Sequence, residues 1–371
     1  MAELYPVIPG TVVEEVYCYW GPDPARYNAD GNCSLTVGQS VTILWKEGDY
    51  YYIEYDVGGI KKRTYYMHDC IEIPYNIAMI PVEHEPSDDI SNFRYAIADP
   101  VVNPNTDLNV LYAPNNSAPV AGSLSTLERV NFIATVGDFT LVDYEVTGQN
   151  GKRKRAWIHN NKITALPSPS GPIYIEYESN ANTETELQAN ARYFYDCFRS
   201  LGFTPEATCA ILGNIRQECS MDPALWEEQE KEDEETGDEY TVNVFGIFQW
   251  TPAEKYLNRA IQQGVIDAAT KDEIQSFARS SAENLIKSQI ECFLWDSFNG
   301  QWCVPVREED RHTSNDMTTI LQFKRSTLDT GTLAIVFHDH YEKSSDTLAF
   351  MQLTRMAYAN DFYADFVSNQ E

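Results

Sequence analysis

Through residue 166 the hydrophobic positions fall into short runs, rich in Val, Ile, Tyr, Phe and Trp, that alternate with polar positions and break at Gly, Pro, Asn and Asp. A period of two with those punctuating residues predicts β-strands joined by tight turns. The pattern also recurs. Val41, Gly48, Asp49, Tyr50 and Tyr55 return as Val130, Gly137, Asp138, Phe139 and Tyr144, each 89 positions further on. Both copies run an alternating strand into a Gly-Asp turn of the kind that closes a hairpin. A second hairpin follows, with Gly58-Gly59 in one copy and Gly148-Gln-Asn-Gly151 in the other. It ends in Tyr66-Met-His68 or Trp157-Ile-His159. The later hairpin is two residues longer, an insertion placed where a turn tolerates it. Two small all-β barrels are therefore predicted, over 1–80 and 95–166.

Residues 167–182 open with Pro167-Ser-Pro-Ser-Gly-Pro172 and read as an extended linker. From 183 to 371 the period becomes helical, so the predicted architecture is two β-barrels followed by a mainly α-helical domain. Thr183-Glu-Thr-Glu186 has the form of a capping box. The helix it starts carries Leu187, Ala191, Phe194, Phe198 and Leu201 on one face, with Gly202 placed to end it. Thr204-Pro205 restarts the chain as an N-cap with proline at the first helical position. This second helix turns Ile211, Leu212 and Ile215 inward.

Glu218 departs from that pattern. It lies seven positions past Ile211, about 20° around the same apolar face. Desolvation there opposes the charged carboxylate. The helix C-terminus disfavours it by a further ~0.3–1 kcal/mol. Both effects favour a carboxyl that holds a proton near neutral pH, which is what a general acid requires.

Composition narrows the partners. A net charge of −29 opposes nucleic-acid binding, and no stretch is long and apolar enough to span a membrane. Nine acids between Glu227 and Glu239, with one lysine, read as a solvated loop. Eight cysteines show neither CxxC pairs nor a metal-ligand rhythm, and are expected to be reduced and partly buried, with no disulfide framework. The start, Met1-Ala-Glu-Leu-Tyr-Pro, has neither the basic nor the apolar region of a secretory signal. Synthesis in a cytoplasm is therefore expected.

Two sets of words resemble known families. Ile211-Leu-Gly-Asn-Ile-Arg-Gln-Glu-Cys-Ser-Met-Asp-Pro223 and Phe245-Gly-Ile-Phe-Gln-Trp-Thr251 resemble the phage tail-lysozyme family. So do Phe337-His-Asp-His-Tyr-Glu-Lys343 and Arg355-Met-Ala-Tyr358. The resemblance runs in order from about 183 to 366. It implies a peptidoglycan muramidase that cuts the β-1,4 bond between N-acetylmuramic acid and N-acetylglucosamine, with Glu218 as its catalytic acid and no cofactor. Gly246, Gln249, Trp250 and Asp222 become substrate-binding candidates. Cys219 and Asp222 stand where the family usually has Ser and Asn, which puts the hydrogen bonding around the acid in doubt. The β repeats, best seen in Leu108-Asn-Val-Leu-Tyr-Ala-Pro114, resemble the bacterial SH3-like domains of wall hydrolases. Leu111 stands where those usually carry Arg. That likeness implies binding to peptidoglycan or to phage tail proteins, or a spacer role.

Several points stay open at this level. A second carboxylate could be Asp222, Glu227, Glu228, Asp238 or Glu239, and a single-glutamate transglycosylase needs none. Trp226, Trp250 and Trp302 could stack on sugars or fill the core. A Cys219–histidine endopeptidase using His338 or His340 is a weaker reading. A metal site of His338, Asp339 and His340 is disfavoured, because alternate helical positions face apart and a distant third ligand would be needed. A non-catalytic structural part of a phage tail is the non-enzymatic alternative.

Overall fold

The computed structural model describes residues 8–33, 35–74, 84, 90–97, 108–146, 149, 151–175, 183–232, 239–307 and 310–368. The chain divides into two compact units, one from residues 1–88 and 92–165, the other from 89–91 and 166–371. The first is β-sheet-rich and the second mainly helical. Among the described residues no helix is long and apolar enough to cross a membrane.

In the first unit, β1 (Ile8–Val12), β2 (Ser40–Glu47), β3 (Tyr50–Val57), β4 (Ile60–Met67) and β5 (Ile71–Glu72) form a sheet ordered β4-β3-β2-β1-β5. A second sheet contains β6 (Phe93–Ala96), β7 (Leu108–Leu111), β8 (Val120–Leu124) and β9 (Arg129–Val136). It is completed by β10 (Phe139–Glu145), β11 (Arg153–His159) and β12 (Ile163–Thr164), in the order β12-β6-β9-β10-β11-β7-β8. The sequence repeat is a backbone repeat. β2 and β9 each end in a Gly-Asp turn whose glycine has a positive φ, 55° at Gly48 and 57° at Gly137, a conformation that favours glycine. β4 and β11 each lead into a short 3₁₀ turn and then a two-residue strand.

The two sheets share a core. Leu44, Trp45, Tyr52 and Tyr65 of the first copy pack with Phe139, Leu141 and Trp157 of the second. Within it Arg155 donates to both oxygens of Glu47 at 3.0 and 2.9 Å and to the Tyr65 hydroxyl at 2.8 Å. Tyr27 donates to Asp143 at 2.6 Å. These charges are buried but paired, which is the condition under which an interior tolerates them.

One expectation fails here. Cys18 and Cys33, expected to be reduced, are joined in a disulfide, their Cα atoms 6.0 Å apart. Spacing of 15 residues gave no signal, since the two cysteines meet only once β1, β2 and the intervening loop have folded. The other six are free: five are buried and Cys303 is exposed.

The helical unit begins with chain that sequence reads as a linker. Its described part, up to residue 175, is tied down: Asn190 pairs with the backbone of Tyr174 (2.9 and 2.7 Å), and the Tyr193 hydroxyl donates to Pro167 O (3.0 Å). The two predicted helices follow as α1 (Glu184–Ser200) and α2 (Pro205–Cys219). The Thr183 capping box is formed, and Thr204 caps α2 with Pro205 in its first turn. A hairpin of β13 (Trp226–Glu232) and β14 (Glu239–Phe245) comes next. The acidic run is thus partly strand, not loop. The side chains of its described residues, 227–232 and 239, are exposed, and the β-branched Thr241, Val242 and Val244 opposite give the backbone of 227–232 a ladder to join. Then come α3 (Glu254–Gln262), α4 (Lys271–Ser280), α5 (Ala282–Phe298), α6 (Ile320–Lys324) and α7 (Thr330–Phe337). A π-helical turn over His338–Glu342 leads on to α8 (Leu348–Leu353) and α9 (Arg355–Phe366).

Candidate active site

The Gly213-Asn214 pair in α2 explains how the helices converge. A Cβ at Gly213 would sit 2.8 Å from the Ala359 Cβ of α9, so glycine lets the two axes approach. Asn214, fully buried, donates to the carbonyls of Ala210 (2.9 Å) and Ala334 (3.1 Å), and its oxygen accepts from Arg355 at 3.0 Å. α2, α7 and α9 are pinned by this one amide.

Arg355, itself 2% exposed, is the hub of the site. Its guanidinium donates to Glu218 Oε1 at 2.5 Å and to Asp346 Oδ2 at 2.7 and 3.1 Å. Sequence reasoning set Glu218 alone on an apolar stripe, whereas folding gives it a counter-ion from a helix 137 positions away. Burial works against the charge on Arg355, but Glu218, Glu342 and Asp346 outweigh it and raise its pKa. Burial pushes the Asp346 carboxyl up, but its hydrogen bond and attraction to Arg355 win and hold it below the usual range.

Glu342, the last residue of the π-helical turn, completes the cluster. Its Oε1 is sealed from solvent and has no hydrogen-bond partner among the described residues. Burial first and the charge of Glu218 second hold its carboxyl well above the usual carboxylate range, against the opposing pull of Arg355. Part of the side chain reaches a cleft of about 380 Å³, which is also lined by Gln249, Trp250, Trp295, Asp296 and Tyr341.

The Gly246–Trp250 turn forms one wall of that cleft. Gly246 has φ +85°, and a Cβ there would lie 2.9 Å from Gln289 Oε1 and 3.1 Å from the Trp250 ring. The buried Gln289 holds this turn to the segment following α2, accepting from Ile247 N (2.8 Å) and donating to Pro223 O (2.7 Å). Gln249 also adopts a positive φ, 45°, uncommon for a residue with a side chain. Its amide donates to Gly246 O at 3.0 Å while its Oε1 has no partner among the described residues. Trp250 stacks on Tyr256 and donates to Asp296 Oδ2 at 3.0 Å. Burial raises the pKa of Asp296, with that hydrogen bond opposing.

Gln249, Trp250 and Glu342 therefore share the cleft, while Glu218 is not among its lining residues and is linked to Glu342 through their charges and through Arg355. Gly246 shapes the wall without lining it. Asp222 is 2% exposed and accepts from Ala224 N at 2.9 Å, which makes it a turn cap. Glu227, Glu228 and Glu239 are exposed on the hairpin, and Asp238 lies outside the described residues. Trp302 is buried, its indole bonded to Met317 O at 2.8 Å, while Trp226 is half-buried at the start of β13. Glu342, Arg355 and Asp346 were missed as site residues. The signal available was two charged positions, Glu342 and Arg355, inside the helical motifs already singled out.

Cys219 is an unsuitable nucleophile. It is 1% exposed, its Sγ donates to Ile215 O at 3.3 Å, and burial first, then Asp222, push its thiol far above the ordinary range. His338 and His340 face apart, as expected: His338 toward Asp339 and Ser344, His340 toward Val336 O and Met317 N.

The sequence of the helical unit is similar to known proteins. Residues 189–366 match the family model described as phage tail lysozyme. Over 171 residues, 46% of this chain, the sequence is 28% identical to "Morphogenesis protein 1" of Bacillus phage B103. The match covers only 38% of that protein's length. Two solved structures, NlpC1 and NlpC2 from Trichomonas vaginalis, overlap 52% and 50% of this chain and 54% of each of theirs. Both are 11% identical, with TM-scores of 0.16 and 0.15, and at that level they bear on neither fold nor activity.

Proposed function

We propose that the helical unit is a peptidoglycan glycosidase that cleaves the β-1,4 bond between N-acetylmuramic acid and N-acetylglucosamine, with Glu218 as its catalytic acid. The observation that carries this reading is the Glu218–Arg355–Glu342 cluster at the edge of the Gln249–Trp250 cleft. Burial and the neighbouring charge of Glu218 hold the Glu342 carboxyl well above the usual range, against the pull of Arg355, so the pair keeps a proton on Glu342. A proton held there is what the leaving sugar oxygen needs. Glu342 supplies the second carboxyl that the sequence did not reveal. Gln249 lines the cleft, and the rings of Trp250 and Trp295 suit a sugar face.

The N-terminal sheets are read as SH3-like modules for wall or tail-protein binding, in line with a relative designated a morphogenesis protein. The same kinship supports a part in phage morphogenesis, and a structural tail role is the competing reading. Digestion of purified peptidoglycan, with mass spectrometry of the released muropeptides, tests the proposal. Wild type is expected to release glycan fragments and folded Glu218→Gln to release none. Reducing ends on muramic acid mean hydrolysis, and 1,6-anhydro ends mean transglycosylation. Equal release by the variant would remove Glu218 from the mechanism, and no release by wild type from several wall types would favour the structural role.

A further inference from the structure

Beyond Asp346 a second group of side chains converges. His312 lies in the loop before α6, and His338 and Asp339 open the π-helical turn. One ligand atom from each of the three lies within 4.8 Å of the other two. His312 Nδ1 and His338 Nδ1 stand 2.9 and 3.2 Å from the same oxygen, Oδ1 of Asp339. The other oxygen, Oδ2, accepts from the His312 backbone N–H at 2.8 Å, which fixes the carboxylate plane. His338 Nε2 meets Ser344 Oγ at 2.8 Å.

Hydrogen bonding alone can satisfy this arrangement, for instance with both rings carrying their proton on Nδ1 and Ser344 donating to His338. A bound cation satisfies it with both imidazoles neutral. Each Nδ1 lone pair and one Asp339 oxygen then face the ion, and His338 Nε2–H donates to Ser344, the outer hydrogen bond that ligating histidines commonly make. Zinc bonds of about 2.0–2.2 Å to nitrogen and oxygen place neighbouring tetrahedral ligands about 3.3 Å apart. The two nitrogen–oxygen separations come within a few tenths of an ångström of that spacing. Mixed imidazole and carboxylate donors suit the borderline zinc class better than the all-oxygen preference of calcium or magnesium.

From this geometry we infer that His312, His338 and Asp339 bind a zinc-class divalent cation, with water in the fourth position beside the partly exposed His312. The ion fastens the loop carrying His312 to the start of the turn that ends in Glu342. It is thus a clamp behind the cleft, not a reactant in it.

The test uses the full chain, stripped with a chelator and dialysed, then titrated with Zn(II) by calorimetry, with Co(II) as a spectroscopic probe. Expected are uptake of a single ion, an intense tetrahedral Co(II) absorption, and a Tm rise of roughly 5–10 °C at about 100 times Kd. His312→Ala is expected to lower the metal-free Tm by the loss of its bond to Asp339, and to abolish both uptake and the further Tm rise on adding metal. The near-isosteric Asp339→Asn weakens uptake at least tenfold. Absence of stoichiometric uptake by wild type, or undiminished uptake by either variant, would overturn the assignment. None of these readouts depends on wall cleavage.

Discussion

Replacing Glu342 by Gln separates what this carboxyl does for activity from what it costs the fold. In the folded chain burial, Glu218 and Asp346 oppose its ionisation, and only Arg355 favours it, so its carboxyl sits well above the ordinary range. Below about pH 4.3, the usual glutamate value, folded and unfolded chains both hold the proton and the carboxyl costs nothing. As pH rises further the unfolded chain releases that proton while the folded chain keeps it. Each unit then removes up to about 1.4 kcal/mol from wild-type stability until the folded carboxyl ionises. The amide of Glu342→Gln has no proton to lose. The variant should match wild type near pH 4 and become progressively more stable than it as the pH rises. Urea unfolding followed by far-UV circular dichroism, which reads the helical unit, measures the difference at each pH. Muropeptide release by the same samples should be lost. A gain in stability with a loss of activity marks a group kept for function at the expense of the fold. A variant less stable than wild type at mildly alkaline pH, or a stability difference flat with pH, would refute the electrostatic account.

Other outcomes follow from the same geometry. Gly246→Ala adds a Cβ 2.9 Å from Gln289 Oε1 at φ +85° and should cost about 1–3 kcal/mol, measured by calorimetry; an unchanged Tm would mean the turn is slack. Glu47→Ala leaves the buried Arg155 with Asp143 as its remaining carboxylate, so the loss in chemical denaturation should fall near the lower end of about 3–5 kcal/mol. A thiol reagent should label one cysteine quickly in the native chain, Cys303, and six after unfolding without reductant. Labelling of eight under the same conditions would show that Cys18 and Cys33 are not bonded.

Much was determined by sequence alone. The switch from a period of two to a helical period located the change from sheet to helix, because that period is set by which backbone face meets the core. The Gly-Asp turns at 48 and 137, the Thr183 box and the Thr204-Pro205 start are local devices, and they formed where their residues stand. The Gly246-Gln249-Trp250 words were singled out by family resemblance, and the turn they form, with glycine at positive φ, is a wall of the cleft.

Only the tertiary structure decided what surrounds Glu218. Its counter-ion comes from α9, and the carboxyl behind it from a π-helical turn that no helical wheel anticipates. A wheel drawn at 100° per residue puts His338 and Asp339 on diverging faces, yet both meet His312 across a loop. Among the candidates chosen for nearness in sequence, Asp222 is a turn cap and Glu227, Glu228 and Glu239 are surface charges. Electrostatic partners are selected by distance in space, and between residues 137 positions apart that distance exists only after the helices have packed.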